Sequence, residues 1–191
     1  MAFNFKLSRG CKYAIVALLP VFLLAELVDR DLPETMALWW HLTHGFRARC
    51  CGVEVRVPLG YSGEESPNSL DLMNLPGYFR WRLARSPGAM VLLSESPSGP
   101  RDEAQVQRAK ERYVAACRRQ GYVLVRTHTT QVAGKPLECW ELYTDHFDVV
   151  GPQYEVMCIG RGNNLNALFN GSPTLLTEFY SILETAKPVA Q

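Results

Sequence analysis

The sequence predicts the α+β class, with an antiparallel sheet flanked by helices. Short β-rich runs, separated by turns that contain Gly or Pro, fill most of residues 51–95 and 122–169. Two amphipathic segments, at residues 102–120 and 172–187, have apolar residues at helical spacing. The order of strands, helix, strands and helix is typical of α+β domains. It predicts one globular domain at residues 46–187, followed by a tail at 188–191.

The chain starts with a basic flank and an apolar run. Lys6, Arg9 and Lys12 precede a segment that carries no charge from Tyr13 until Glu26. This order predicts a membrane-targeting segment. Residues 1–31 are interpreted as a single-pass anchor that is retained as a signal-anchor helix. Because the basic side of such a helix stays in the cytoplasm, the rest of the chain is predicted to be extracytoplasmic.

Two other interpretations of this run stay open. As a helix it would span about 24 Å, which is less than the hydrocarbon core of about 30 Å. A cleaved signal peptide would explain that shortness, but Ala25-Glu26-Leu27 is a poor match to a small-x-small cleavage site. A core helix that docks on the domain is the other alternative. The poor cleavage site favours the anchor.

Residues 32–45 are predicted to form a short juxtamembrane helix. Pro33 and Glu34 suit a helix start, and Gly45 can end the helix. Trp39 and Trp40 are candidate membrane-interface residues, because amphipathic rings suit the headgroup level; packing on the domain is an equal alternative.

The first half of the domain is predicted to be mainly strands. In residues 51–57, Val53, Val55 and Val57 alternate with polar residues, so one face of that strand is buried. Residues 61–69 are rich in Gly, Ser, Glu and Pro and predict a loop. An antiparallel meander is then predicted from strands at residues 70–75, 78–84 and 90–95.

The second half starts with a helix at residues 102–120, with Gly121 as the residue that ends it. Residues 122–132 and 137–143 predict a hairpin around Gly134-Lys135-Pro136, and residues 154–159 and 165–169 predict another strand pair. Ser172 and Pro173 are expected to start a last helix, which Pro188 ends. The buried stripe of that helix is predicted to be Leu175, Leu176, Phe179, Ile182 and Leu183.

These landmarks resemble the PsbP-like family, which includes bacterial extracytoplasmic relatives of unknown role. The resemblance rests on Val57-Pro58-Leu59-Gly60-Tyr61, the helix at 102–120, the Gly134-Lys135-Pro136 hairpin and the closing helix at 175–183. It implies an α/β/α sandwich with binding or assembly roles rather than catalysis, and it transfers no catalytic residue.

The chain has six cysteines, and five of them follow the apolar run. Cys50 and Cys51 are candidate reactive thiols, although adjacent cysteines are not the CxxC redox spacing. Cys117, Cys139 and Cys158 are interpreted as small buried hydrophobes, with a Cys139–Cys158 disulfide as the alternative.

Arg80, Trp81 and Arg82 form an Arg/aromatic stretch that is a candidate partner-binding site. A solvated strand face without a binding role is the favoured interpretation, because charged side chains are usually exposed. A net charge of +1 and an outward location predict no nucleic-acid binding.

The histidines predict neither a metal site nor a catalytic site. His41 and His44 share a helical face, but two histidines do not define a metal site, and a polar helix face is favoured. His128, Asp145 and His146 lack a nucleophile elbow. The Gly-rich residues 160–162 lack the third Gly of a dinucleotide fingerprint. No cofactor is therefore expected.

The function predicted from the sequence is a membrane-anchored, extracytoplasmic binding or assembly domain of an envelope complex, with an unknown protein partner and without catalysis. One alternative is an envelope thiol-redox protein or other enzyme that uses Cys50 or Cys51. Another is a cytosolic partner-binding protein whose N-terminal helix docks on the domain. Loss of folding on removal of residues 1–32 would favour this docked form.

Overall fold

A computed structural model describes residues 34–66, 78–83, 89–145 and 151–189. The predicted anchor at 1–31 and the predicted strand at 70–75 lie outside these ranges. Within these ranges, the helices are too short or too polar to cross a membrane.

The described elements alternate between short strands and three α-helices. In chain order they are α1 (residues 34–44), β1 (Arg47–Cys50), β2 (Val53–Arg56), β3 (Tyr61–Ser66), β4 (Tyr78–Leu83), β5 (Met90–Glu95), α2 (Glu103–Arg119), β6 (Val123–Val132), β7 (Lys135–Thr144), β8 (Gln153–Gly160), β9 (Leu165–Gly171), α3 (Leu176–Glu184) and β10 (Lys187–Pro188). A 3₁₀ turn, Pro173–Leu175, precedes α3. The α+β class predicted from the sequence is confirmed.

The central sheet has seven strands in the order β3-β4-β5-β9-β8-β7-β6, and each neighbouring pair is antiparallel. A second sheet has the order β1-β2-β10. The small sheet and α3 share one buried cluster with one face of the central sheet. The opposite face contributes to a cluster with α2. The domain therefore has three layers, with α2 on one side and α3 with the small sheet on the other.

Strand periodicity decides which side chains enter which layer. In β7, Cys139 faces the α3 side, and Trp140 and Leu142 face α2. In β2, Val53 and Val55 are buried, as the alternation predicted.

Residues at the two ends of α2 explain where this helix begins and ends. Asp102 and Gln105 form a reciprocal capping box at its start, with the Gln105 backbone N–H donating to Asp102 Oδ1 at 2.7 Å. Gly121, at φ +88°, follows its C-terminal end. The predicted hairpin is also present, with Ala133 and Gly134 in the turn.

Two predictions near the chain's turns were wrong. Residues 61–66 are not a loop but the edge strand β3, because they pair with β4 in continuous antiparallel register and Tyr61 is buried. The last helix ends at Glu184 rather than at Pro188, because Lys187 and Pro188 form a short strand on β2. Ser172 precedes the 3₁₀ turn, and its hydroxyl lies 3.1 Å from the Thr174 hydroxyl instead of capping the backbone.

Candidate functional site

Helix α1 exposes large apolar side chains on the face turned away from the domain. Met36, Leu38, Trp39 and Leu42 are all at least half exposed, and Trp39 is 67% exposed. Apolar side chains that a helix buries normally face the protein, so this outward set needs another environment. We call these four residues the α1 ridge.

The opposite face of α1 is held by His41. Its Nδ1 lies 2.9 Å from the Gly45 carbonyl oxygen, and its Nε2 lies 3.0 Å from the Pro58 carbonyl oxygen. The imidazole also stacks on Phe46, with the ring centroids 4.7 Å apart. His41 is 4% exposed, so the interpretation of a polar helix face was wrong for it, because its ring lies between the backbone carbonyls of Gly45 and Pro58. These contacts fix the direction in which the α1 ridge points.

The two tryptophans of α1 lie in different environments. Trp40 is half-buried, contacts the core cluster and stacks on His44 at 5.1 Å. Trp39 points outward. Only Trp39 is thus placed as a membrane-interface residue would be, and that role stays a prediction for both.

The outer face of the small sheet is basic. Four cations share it, namely Arg47, Arg49, Arg56 and Lys187, with Glu54 between them. Arg47 Nη1 and Arg49 Nε donate to the Glu54 carboxylate at 2.9 and 3.0 Å. The hydrogen bond from Arg49 is the main cause that lowers the pKa of Glu54. We call this surface the basic face; it begins three residues after α1 ends.

The candidate thiols Cys50 and Cys51 are paired with each other as a vicinal disulfide in the turn between β1 and β2. Cys51 has φ +61°, and both residues contact the core cluster. Cys50 Sγ lies 3.8 Å from the Leu93 carbonyl oxygen.

Cys139 and Cys158 form the second disulfide. The favoured interpretation as free buried thiols was wrong, because the two residues are direct partners on β7 and β8 with Cα atoms 4.0 Å apart. Cys117 is a free, buried thiol, as predicted. Burial raises its pKa to about 11, which disfavours the reactive thiolate.

The candidate partner-binding residues Arg80, Trp81 and Arg82 lie in β4. Arg80 is 8% exposed, so the interpretation of a solvated strand face was wrong for it. It lies opposite Leu92 of β5, which is also buried, so this part of the sheet is covered.

Glu141 is a buried carboxylate at the centre of a polar cluster beneath α3. Tyr180 Oη donates to Glu141 Oε1 at 2.8 Å. His128 Nδ1 lies 3.5 Å from the same oxygen, and Arg126 Nη1 lies 3.9 Å from it. Burial lowers the pKa of His128, against the opposing effect of Glu141. Burial, helped by Glu141, raises the pKa of Tyr180.

This cluster predicts loss of stability in weak acid. The folded protein favours neutral His128, so this contribution is fully present above the unfolded pKa of about 6.5 and is lost as the pH falls below it. We expect the free energy of unfolding to fall between pH 7.5 and 5, and to fall less in His128→Gln, which cannot take up the proton. Urea unfolding at several pH values measures both. Equal pH dependence in the two proteins would contradict the prediction.

Most of the α1 ridge and the basic face were not predicted from the sequence. Leu38, Trp39 and Leu42 are at spacings of one, three and four, which is a helical stripe, but only the tryptophans were singled out. Arg47 and Arg49 flank Ala48, which is the alternation of a half-buried strand.

No family model and no curated protein matches the chain. Among solved structures, it is similar to the cyanobacterial PsbP (CyanoP) of Synechocystis, with a TM-score of 0.45 and 14% identity, covering 72% of this chain and 87% of that one. It is also similar to PA94, a Pseudomonas aeruginosa protein of unknown function, with a TM-score of 0.39 and 12% identity, covering 76% of this chain and 97% of that one. At these TM-scores neither similarity assigns a family or a function. The PsbP-like family remains a resemblance, and the α+β class follows from the helices and strands themselves.

Proposed function

We propose that the protein is a membrane-anchored, extracytoplasmic binding or assembly domain of an envelope complex, and that α1 lies on the bilayer surface. The observation that carries this proposal is the α1 ridge. It directly follows the basic and apolar N-terminal run and points away from the domain core.

The chemistry of the ridge fits a lipid interface. Trp and Leu on one helix face, with Lys and Arg nearby, are the composition of helices that lie in the headgroup region. Trp39 can place its ring at that level, and Leu42 and Met36 can enter the acyl boundary. The basic face adds electrostatic attraction where the leaflet carries anionic lipids.

The location is tested by cell fractionation and protease accessibility of the full chain with a C-terminal tag. The proposal expects the tag in the membrane fraction and its digestion when protease is added outside the membrane. A tagged protein that is soluble in the cytosol would refute the anchor and the outward location together.

The contact of α1 with lipid is tested by the quenching of Trp emission with brominated lipids, using the full chain in vesicles. We expect quenching that Trp39→Phe largely removes, because Trp39 is the exposed ring of the α1 pair. Trp40→Phe is the matched control and should keep the quenching, since Trp40 packs on the domain. Anionic lipid should increase the effect. Equal quenching of the wild type and Trp39→Phe would contradict the proposed surface contact.

The vicinal pair Cys50–Cys51 favours thiol–disulfide exchange as a second candidate function. Mass mapping after mild reduction and alkylation of the folded protein tests it. Selective labelling of Cys50 and Cys51 would favour exchange, whereas a pair that stays oxidised in the folded protein would exclude it.

A further inference from the structure

A cavity of about 150 Å³ lies on the α2 side of the central sheet, beside the start of α2. Three strands, β5, β9 and β8, supply its floor, and Arg101 closes one side. The floor is mainly apolar, through Leu92, Leu168, Met157 and Ile159. It resembles a binding site more than a packing defect, because polar groups gather at one end.

The polar end consists of Arg101, Asn166 and Ser94. Arg101 Nη1 donates to Asn166 Oδ1 at 2.6 Å. Asn166 Nδ2 donates to Ser94 Oγ at 3.5 Å, and both of these residues are buried. The strand register places Ser94 directly opposite Asn166, so the three groups form one connected set.

Arg101 carries a charge that no carboxylate of the described segments neutralises. Among the described residues, no carboxylate forms an ion pair with Arg101, and Asn166 accepts one of its five N–H donors. Burial lowers its pKa, which is the expected effect of partial desolvation on an unpaired cation. β8 places the Glu155 carboxylate on this face, but Glu155 Oε1 accepts a hydrogen bond from the Tyr113 hydroxyl at 2.6 Å.

The residue after β5, Ser96, carries an unsatisfied hydroxyl. Ser96 is 5% exposed, and its hydroxyl has no hydrogen-bond partner within the described part of the chain. The Ser96 backbone N–H donates to the Asn164 carbonyl, so pairing with the β9 side continues past the end of β5. By strand alternation, Ser96 therefore faces the same side as Ser94.

The size and lining narrow the class of ligand. An apolar cavity of about 150 Å³ can hold a molecule of the size of benzene. A guanidinium binds a carboxylate through two parallel N–H donors, and a planar ligand leaves its apolar body for the floor.

We propose that this cavity binds a small carboxylate with an apolar body. The carboxylate lies on Arg101 and the Ser94 hydroxyl, and the apolar part lies on Leu92, Leu168 and Met157. This site is separate from the α1 ridge, and it does not depend on where the protein is located.

Benzoate titration of the full chain, followed by ligand-observed NMR, tests the proposal, with benzyl alcohol as the neutral probe of similar shape. We expect saturable benzoate binding in the wild type and at least about tenfold weaker binding of benzyl alcohol, because the charged hydrogen bonds are lost. Absence of saturable benzoate binding, or equal binding of the two probes, overturns the proposal.

Variants locate the binding. Arg101→Met keeps the length of the side chain and removes its charge, so we expect at least about tenfold loss. Arg161→Met is the matched control. Arg161 is exposed, and its backbone pairs with that of Arg101 in an isolated β-bridge. It should change affinity by less than about twofold. Asn166→Asp is nearly isosteric and offers Arg101 an internal carboxylate, so it should abolish binding even where Arg101→Met fails to fold. Binding that survives in Asn166→Asp, or that falls equally in Arg161→Met and Arg101→Met, overturns the assignment.

Discussion

Replacement of Trp140 by Ala is expected to lower the free energy of unfolding by about 3–5 kcal/mol. Trp140 is 0% exposed and lies in β7, inside the central sheet, where its ring packs toward α2. The ring centroid lies 6.4 Å from that of Tyr113, and its Nε1 donates to Glu138 Oε1 at 3.2 Å. The substitution leaves a cavity under α2 that fixed strands on both sides cannot close, and it also removes a hydrogen bond.

Trp39→Ala is the matched control for this experiment. It removes the same side chain from an exposed helix position, so the expected change lies within about 0.5 kcal/mol. Urea unfolding followed by circular dichroism gives both values, with an unchanged m-value as the sign that the change lies in stability. A loss under about 1 kcal/mol for Trp140→Ala, or equal losses for both variants, would show that Trp140 is not packed as described.

The elements that the sequence predicted are those with local causes. The capping box of Asp102 and Gln105, the apolar stripe and Gly121 all lie within or beside α2, so its bounds follow from neighbouring residues. The alternation of Val53 and Val55 similarly predicted the buried face of β2. These features need no knowledge of the rest of the chain.

The elements that the sequence misjudged depend on distant partners. Residues 61–66 have the composition of a loop, and they form β3 because β4 offers a free edge for pairing. Arg80 has the residue type of a surface position, yet it is buried in the folded domain. The Cys139–Cys158 pair required the register of β7 on β8, which no local pattern encodes.

The candidate sites divide in the same way. The spacing of Leu38, Trp39 and Leu42 could predict a helical stripe. Its outward direction, however, depends on His41, whose Nε2 lies against the Pro58 carbonyl oxygen on the other face of α1. The cavity could not be predicted, because Arg101, Ser94 and Asn166 are brought together only by the order of β5 and β9 in the sheet.

Removal of the Cys139–Cys158 disulfide is expected to lower the free energy of unfolding by about 3 kcal/mol, the effect of freeing a loop of this size in the unfolded chain. The two residues are 19 apart in sequence, and both are buried between the main core residues of β7 and β8. The double variant Cys139→Ala/Cys158→Ala tests this by urea unfolding without reductant. Cys117→Ala is the matched control, since it removes a buried thiol that closes no loop.

Reductant separates the two disulfides. Cys50 and Cys51 are adjacent, so their bond closes almost no chain, and reduction of that bond should hardly change stability. Dithiothreitol should therefore destabilise the wild type and Cys50→Ser/Cys51→Ser alike and leave the Cys139→Ala/Cys158→Ala variant unchanged. Wild-type stability that does not respond to reductant under unfolding conditions would refute the cross-strand disulfide.

Disulfides persist in oxidising compartments, so a reduced Cys139–Cys158 pair in intact cells would count against the proposed extracytoplasmic location. The same bond therefore links the stability of the sheet to where the domain works.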